Sequence, residues 1–200
     1  MRTTLTPRGP AHHRRAAAAG ACLALVLALG LTLGACSSSS KSPAAGPTGK
    51  ASTLLNKALQ EQVAGNTAQA IKDYQAVIHA DPQNKFAFYD LGLIYDNQGR
   101  DADAQSQYRL ALTVDAKYEP ALYNLARLRA KGGDATGAIS FYQQAIASNS
   151  KDANAHFNLG LLLRAGGKTA EGTAEVRAAV KLNPALAKSA TAQGVPLSGK

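Results

Sequence analysis

The sequence has no tryptophan, one methionine and two cysteines among its 200 residues, and aromatic residues make up only 6% of it. Few aromatics, 46% apolar residues and 18% charged residues favour a helical domain over a β-sandwich or barrel. Two cysteines are too few for a disulfide-rich scaffold. A chain of this length also argues against a large enzyme.

Acidic residues are missing from both ends of the chain, and this causes its formal charge of +9. Residues 51–186 hold all 13 acidic residues and 14 of the lysines and arginines, so this region carries a net charge of about +1. The remaining basic residues lie in the flanking segments. Nucleic acid would require clustered positive charge on the folded domain, so we expect no nucleic-acid partner.

Charged residues are also absent from residues 16–40, which follow four arginines in the first fifteen positions. The centre of this segment, from Cys22 to Leu33, is apolar apart from Thr32. A basic region, an apolar region and then small residues are typical of a secretory signal. We therefore expect the rest of the chain to be exported from the cytoplasm.

The apolar run ends in Leu33-Gly34-Ala35-Cys36, which four serines follow. This string resembles the lipobox of bacterial lipoproteins. The resemblance implies removal of residues 1–35 and acylation of Cys36, with several acyl chains (diacylglycerol and palmitate) anchoring the protein to the outer face of the cell membrane, or to an outer membrane if the source has one. Residues 36–50 are rich in Ser, Pro and Gly and are expected to form a flexible tether.

Two other interpretations of this segment remain open. Cys22 could carry the lipid, although Ala19 rather than a leucine lies three residues before it. The charge-free run could instead stay uncleaved as a membrane span, since about 20 apolar residues suffice. Both interpretations leave the rest of the chain outside the cytoplasm.

Glycines recur every 34 residues, at Gly65, Gly99, Gly133 and Gly167. Small residues recur seven positions before each of them, at Ala58, Gly92, Ala126 and Gly160, and five positions after, at Ala70, Ala104, Ala138 and Gly172. Nine positions after each glycine stand Tyr74, Tyr108, Tyr142 and Val176. Small residues where two helix backbones approach, with glycine between them, predict a helical hairpin in every unit.

Two segments carry the most specific pattern, Phe88-x-x-Leu91-Gly92-x-x-Tyr95 and Ala104-x-x-x-Tyr108-x-x-Ala111. They resemble the tetratricopeptide repeat, whose period of about 34 residues matches the interval between the glycines. The resemblance implies an all-α superhelix, an α-solenoid of four helix-turn-helix repeats and eight helices, over residues 51–84, 85–118, 119–152 and 153–186. Residues 187–200 lack an apolar stripe and are expected to be disordered. The last helix would then face water or a partner.

By the same resemblance, the first helix of each repeat lines a concave groove. The residues expected to bind a protein or extended peptide there are Tyr89, Asp90, Tyr123, Asn124, Arg127, Phe157, Asn158 and Arg164. Aromatic rings would bury apolar side chains, and asparagines would pair with a peptide backbone. The groove would grade from acidic near Asp90 and Asp96 to basic near Arg127, Lys131 and Arg164, although a solvated surface explains these charges at least as well.

No motif predicts catalysis, a cofactor or a metal. Gly167-Lys168-Thr169 has Leu162 where a phosphate-binding loop needs glycine. Asp101 and Asp103 lack the further ligands of a calcium loop. The sequence therefore favours a membrane-anchored adaptor of the bacterial envelope over an enzyme or a ligand carrier, with a non-catalytic accessory subunit of an envelope enzyme, secretion or pilus assembly complex as the alternative.

Overall fold

The structure, a computed structural model, describes residues 49–197. Within these residues every regular element is helical. Four antiparallel hairpins follow one another: α1 (Gly49–Val63) with α2 (Thr67–Ala80), α3 (Lys85–Asn97) with α4 (Asp101–Val114), α5 (Glu119–Lys131) with α6 (Ala135–Ser148), and α7 (Ala153–Ala165) with α8 (Thr169–Leu182). A 3-10 turn (Pro184–Leu186) and a short helix, α9 (Ala187–Ala192), come next. The predicted array of eight helices in four hairpins is confirmed.

The predicted export signal, Cys36 and most of the tether lie outside the described residues. Within 49–197, none of the helices combines the length and the hydropathy needed to cross a bilayer.

The regularly spaced glycines form the turns inside the four hairpins. Gly65, Gly99, Gly133 and Gly167 have φ of 80°, 72°, 82° and 85°, a left-handed conformation that glycine adopts without strain. The backbone N–H that follows each glycine donates to a carbonyl five residues earlier, as in Asn66 to Glu61 at 2.9 Å. This bond ends the first helix and fixes the return of the chain.

Small residues and tyrosines together form the core between the two helices of a repeat. Tyr74, Tyr108 and Tyr142 are buried, and a Cβ added at Gly92 would lie 2.6 Å from Tyr108 Cδ1. The fourth repeat has valine at this position and glycine at two others. There a Cβ on Gly160 would lie 2.6 Å from the carbonyl oxygen of Gly172, so the backbones of α7 and α8 touch directly.

The prediction of a disordered tail from residue 187 is wrong for the part that the structure describes. Residues 187–192 form α9, and Val195 is only 3% exposed. Val195 and Ala190 pack against Val176 of α8. Without them the apolar side chain of Val176 would face water at the end of the array. The last hairpin is therefore covered by the chain itself. Residues 198–200 lie outside the described residues.

Candidate functional site

An open cleft of about 640 Å³ lies beside α3, α5 and the start of α7. Tyr89 and Leu93 of α3, with Pro120, Tyr123 and Asn124 of α5, form one part of its lining. The remainder comes from the start of α5, the turn after α6 and the first residues of α7: Glu119, Asn149, Lys151, Asp152, Ala153 and Asn154. Three of the residues predicted to bind a partner, Tyr89, Tyr123 and Asn124, therefore meet in one cleft.

Hydrogen bonds between tyrosine and asparagine join successive repeats at this surface. Asn124 Nδ2 donates to the Tyr89 hydroxyl oxygen at 3.1 Å, and Asn158 Nδ2 donates to that of Tyr123 at 3.0 Å. Sequence reasoning assigned the amides to a partner alone, whereas each already donates one bond within the protein. The Asn124 carbonyl oxygen can still accept from a ligand, and the Tyr89 hydroxyl can still donate.

Neighbouring rings hold both tyrosines in place. The Tyr89 ring lies 5.7 Å from that of Tyr108 and 5.4 Å, edge-on, from that of Tyr118, and the Tyr123 ring lies 5.6 Å from that of Tyr142. Burial raises the pKa of Tyr89 and Tyr123, and the hydrogen bonds from the asparagines offset only part of the rise. Both hydroxyls therefore stay protonated near neutral pH.

Asp90 takes a different role from the asparagines at its position in the third and fourth repeats. The first repeat has Leu55 at the corresponding tyrosine position, so no hydroxyl is available there. Asp90 instead lies beside the Tyr74 hydroxyl of α2, which donates to Gln62 Oε1 at 2.5 Å. Burial raises the pKa of Asp90 to about 6, and the neighbouring Tyr74 hydroxyl lowers it by less.

The predicted gradient from acidic to basic charge is cancelled by pairing within the protein. Arg127 Nη2 forms an ion pair with Asp96 Oδ2, and the Tyr108 hydroxyl donates to the same carboxylate. Lys131 Nζ lies 2.8 Å from Asp101 Oδ2. The cations of α5 that sequence reasoning offered to a partner are therefore neutralised by the preceding repeat.

Phe157 and Arg164 lie at the C-terminal end of the array, against the segment that follows α9. Phe157 packs against the cluster that contains Val195. Arg164 donates to Thr173 Oγ1 at 2.6 Å and to the Gly194 carbonyl oxygen at 3.1 Å. Both were predicted to face a partner, and in the structure both hold the chain's own C-terminal residues.

Sequence reasoning missed the rim of the cleft, where two acidic residues meet. The pKa of Glu119 is raised to about 7, chiefly by burial and then by a hydrogen bond with Asp152 and by the negative charge of that residue. Asp152 also caps α7 by accepting from the Asn154 backbone N–H at 2.9 Å. Glu119 is the first residue of the third unit and Asp152 is the last. Their places at the two boundaries of one repeat were the available signal.

Among residues 49–197, no three histidine, cysteine, aspartate or glutamate side chains come together as a metal-ligating group.

Family models support the repeat pattern. A model described as tetratricopeptide repeat matches residues 55–120, and a second model, described as TPR repeat, matches residues 126–167. The chain carries tetratricopeptide repeats. The two matches cover α2, α3, α4, α6 and α7 in full and parts of α1 and α5, and residues 121–125, which include Tyr123 and Asn124, lie between them.

Solved structures of other proteins share the fold. A structure of MamA protein superposes with a TM-score of 0.65 at 24% identity, covering 72% of this chain and 79% of MamA. YrrB, described as a TPR protein with an unusual peptide-binding site, gives 0.63 at 22% identity over 71% of this chain and 73% of YrrB. PilW, described as a widely conserved type IV pilus biogenesis factor, gives 0.62 at 17% identity over 74% and 71%. No curated protein matches the chain.

Proposed function

We propose that this protein is a non-catalytic adaptor whose tetratricopeptide repeats bind an extended segment of a partner protein in the cleft beside α3, α5 and α7. The observation that carries the proposal is the pair of tyrosine–asparagine hydrogen bonds. They fix the asparagine amides so that the Asn124 carbonyl oxygen can accept from a peptide N–H. The Tyr89 hydroxyl donates to a peptide carbonyl, and the Tyr89 and Tyr123 rings bury apolar side chains.

The partner is identified by capture from membranes with the protein as bait, and its affinity is then compared among variants. Tyr123→Ala combined with Asn124→Ala removes one ring and one amide from the cleft. Loss of a buried aromatic anchor weakens binding by about 2 kcal/mol, roughly thirtyfold. Wild-type affinity in this variant, with its fold verified by a melting curve, would eliminate the cleft as the binding site.

A second variant tests the cleft without removing any side chain that packs in the core. Asn154 lines the cleft, is exposed and makes no hydrogen bond through its amide among the described residues. We expect Asn154→Arg to obstruct the cleft and weaken binding while the melting temperature stays unchanged. Ser140→Arg, at an exposed position of α6, is the matched control and should bind like the wild type.

We further propose that lipid on Cys36 anchors the adaptor to the outer face of a bacterial membrane. The order of basic residues, apolar run, Leu33 to Cys36 and serines supports the anchor. Metabolic labelling with a palmitate analogue should mark the wild type and Cys22→Ser but not Cys36→Ser. Unchanged labelling of Cys36→Ser would refute the anchor site.

An accessory subunit of an envelope enzyme, secretion or pilus assembly complex would use the same cleft. The identity of the captured partner separates the two cases: stable co-purification with a catalytic or assembly complex favours the subunit, and capture of a single protein favours the adaptor.

A further inference from the structure

The residues after α9 pack on the fourth repeat. Val195 is buried in one cluster with Val176 and Ala190, and Phe157, Leu161, Val180 and Leu197 pack around it. Helix α9 ends before Gly194, whose φ of 65° turns the chain out of the helix. The segment 194–197 is therefore non-helical, and it stays joined to the end of α9 by the Val195 backbone N–H, which donates to the Ala190 carbonyl oxygen at 3.0 Å.

Two arginines hold the backbone of this segment. Arg164 Nη2 donates to the Gly194 carbonyl oxygen at 3.1 Å, and Arg177 Nε donates to the Pro196 carbonyl oxygen at 3.0 Å. Apolar side chains at alternate positions, Val195 and Leu197, meet the apolar cluster. Side-chain burial at alternate positions combined with polar contacts to the backbone is the way in which proteins recognise extended peptides.

The recognising surface is a continuation of the surface that carries the cleft. Phe157 lies at the position in its repeat that Tyr89 and Tyr123 hold in theirs, since the three recur at the same interval as the turn glycines. Leu161 and Arg164 lie one and two turns further along the same helix. The fourth repeat thus presents its first helix to a peptide that is already present.

The attachment of this segment is small compared with that of a hairpin. Among the described residues, only Val195 of the segment is fully buried, and no ion pair links the segment to the repeat. Segments with few buried contacts open locally at a much lower free-energy cost than the whole fold. A competing segment of the same chemistry could therefore replace it.

We propose that α7 and α8 form a binding site for an extended, uncharged segment with apolar side chains at alternate positions, and that the chain's own residues 194–197 fill this site until a partner segment displaces them. The proposal rests on the proposed peptide-binding function but uses different residues from the cleft. It makes the fourth repeat a second, self-blocked recognition site.

The test uses the full-length protein in detergent and, as a probe, a fluorescent peptide with the sequence of residues 192–200, AQGVPLSGK. In the first variant, Val195→Asp with Leu197→Asp, charge at both apolar positions releases the segment. We expect this variant to bind the peptide at least about tenfold more tightly than the wild type in fluorescence anisotropy. A second variant that ends at Gln193 removes the segment by truncation and should behave in the same way.

Matched controls separate occupation of the site from a general change of charge. Ser189→Asp with Thr191→Asp adds the same charge to exposed positions of α9 and should bind the peptide as weakly as the wild type. A peptide with aspartate in place of its valine and leucine should not bind. Arg164→Ala in the released protein should weaken binding, whereas Tyr89→Ala, a cleft variant two repeats away, should leave peptide binding of the released protein unchanged, so this result is independent of the cleft.

Three results would overturn the proposal. The first is absence of peptide binding to both released variants while their circular dichroism and melting curves show a folded array. The second is equal peptide affinity of the wild type and the released variants. The third is a wild-type dimer, measured by light scattering, that becomes a monomer in both released variants, because the segment would then be exchanged between two copies.

Discussion

The hydroxyl groups of Tyr89 and Tyr123 each have two roles, one in stability and one in recognition. Each accepts a hydrogen bond from an asparagine of the next repeat, 35 residues along the chain. Each also keeps its own proton, because burial raises the pKa of both tyrosines. We call this hydrogen bond between successive repeats the tyrosine–asparagine joint. Changing one of these tyrosines therefore affects the joint as well as the surface of the cleft.

Tyr123→Phe removes the acceptor of the Asn158 amide while it keeps the packed ring. We expect a loss of about 1 kcal/mol in the free energy of unfolding, the usual net contribution of such a hydrogen bond. Urea denaturation followed by circular dichroism measures it. Tyr95→Phe is the matched control, because the Tyr95 ring stacks under Arg100 at 4.3 Å and the hydroxyl has no hydrogen-bond partner among the described residues. Equal losses in the two variants would contradict the role of the joint.

Asp90 makes stability depend on pH. Its pKa rises from about 3.8 to about 6 on folding because the carboxyl is buried, so between these pH values the folded state binds more protons than the unfolded state. The contribution of Asp90 is therefore fully present below pH of about 4 and is lost as pH rises through 6. We expect Asp90→Asn to flatten this part of the pH dependence and to raise stability at pH 7.

Urea denaturation at several pH values between 4 and 7 tests this prediction. Glu119, whose pKa is raised to about 7, adds a dependence of the same sign that extends to higher pH. Glu119→Gln is therefore the control: it should remove the dependence between pH of about 6 and 7, where Glu119 still titrates and Asp90 no longer does, and leave the part near pH 4 as in the wild type. A wild-type pH dependence in Asp90→Asn would show that Asp90 does not titrate in this way.

At the scale of elements, the hairpins follow from the sequence but the interactions of the site do not. Small residues and turn glycines repeat in the sequence, so their spacing defines each helical pair. The Arg127 to Asp96 ion pair depends on how adjacent repeats pack, and the spacing of residues within one repeat contains no information on it. Composition misled the prediction for the tail, although Ala187 follows Ala153 at the interval that separates the turn glycines and could have indicated another helix.

Gly160 sets the distance between α7 and α8. A Cβ at this position would lie 2.6 Å from the Gly172 carbonyl oxygen and 2.7 Å from Val176 Cγ2. Since backbone cannot move aside as a side chain can, we expect Gly160→Ala to lower stability by about 1–3 kcal/mol despite alanine's higher helix propensity. Thermal melting measures the change. Gly132→Ala is the control, because its Cβ would meet only ordinary contacts at 3.5 Å or more.

At the scale of the whole molecule, stability is a sum over the repeats and the interfaces between neighbours. The interface between the second and third repeats carries the Arg127 to Asp96 and Lys131 to Asp101 ion pairs and the Asn124 to Tyr89 hydrogen bond. The array ends differently at α1, where Val63 is 88% exposed. The middle of the array therefore has the most support from both sides.

Hydrogen exchange followed by mass spectrometry should reflect this distribution. We expect the amides of α3 to α6 to exchange slowest, because opening them breaks interfaces on two sides. The amides of α1 and α9 should exchange fastest among the helices. Equal protection across the whole array would show that it unfolds as one unit and would contradict the prediction.

The tyrosine–asparagine joint also determines how the array can grow. Residues 119–152 carry both halves of the joint, since Asn124 donates to the repeat before and Tyr123 accepts from the repeat after. A tandem duplicate of these residues, inserted after Asp152, would bring its own asparagine to the original tyrosine and its own tyrosine to Asn158. Gene duplication of this one unit would thus lengthen the recognition surface step by step, with the tyrosine–asparagine hydrogen bond kept at every new junction.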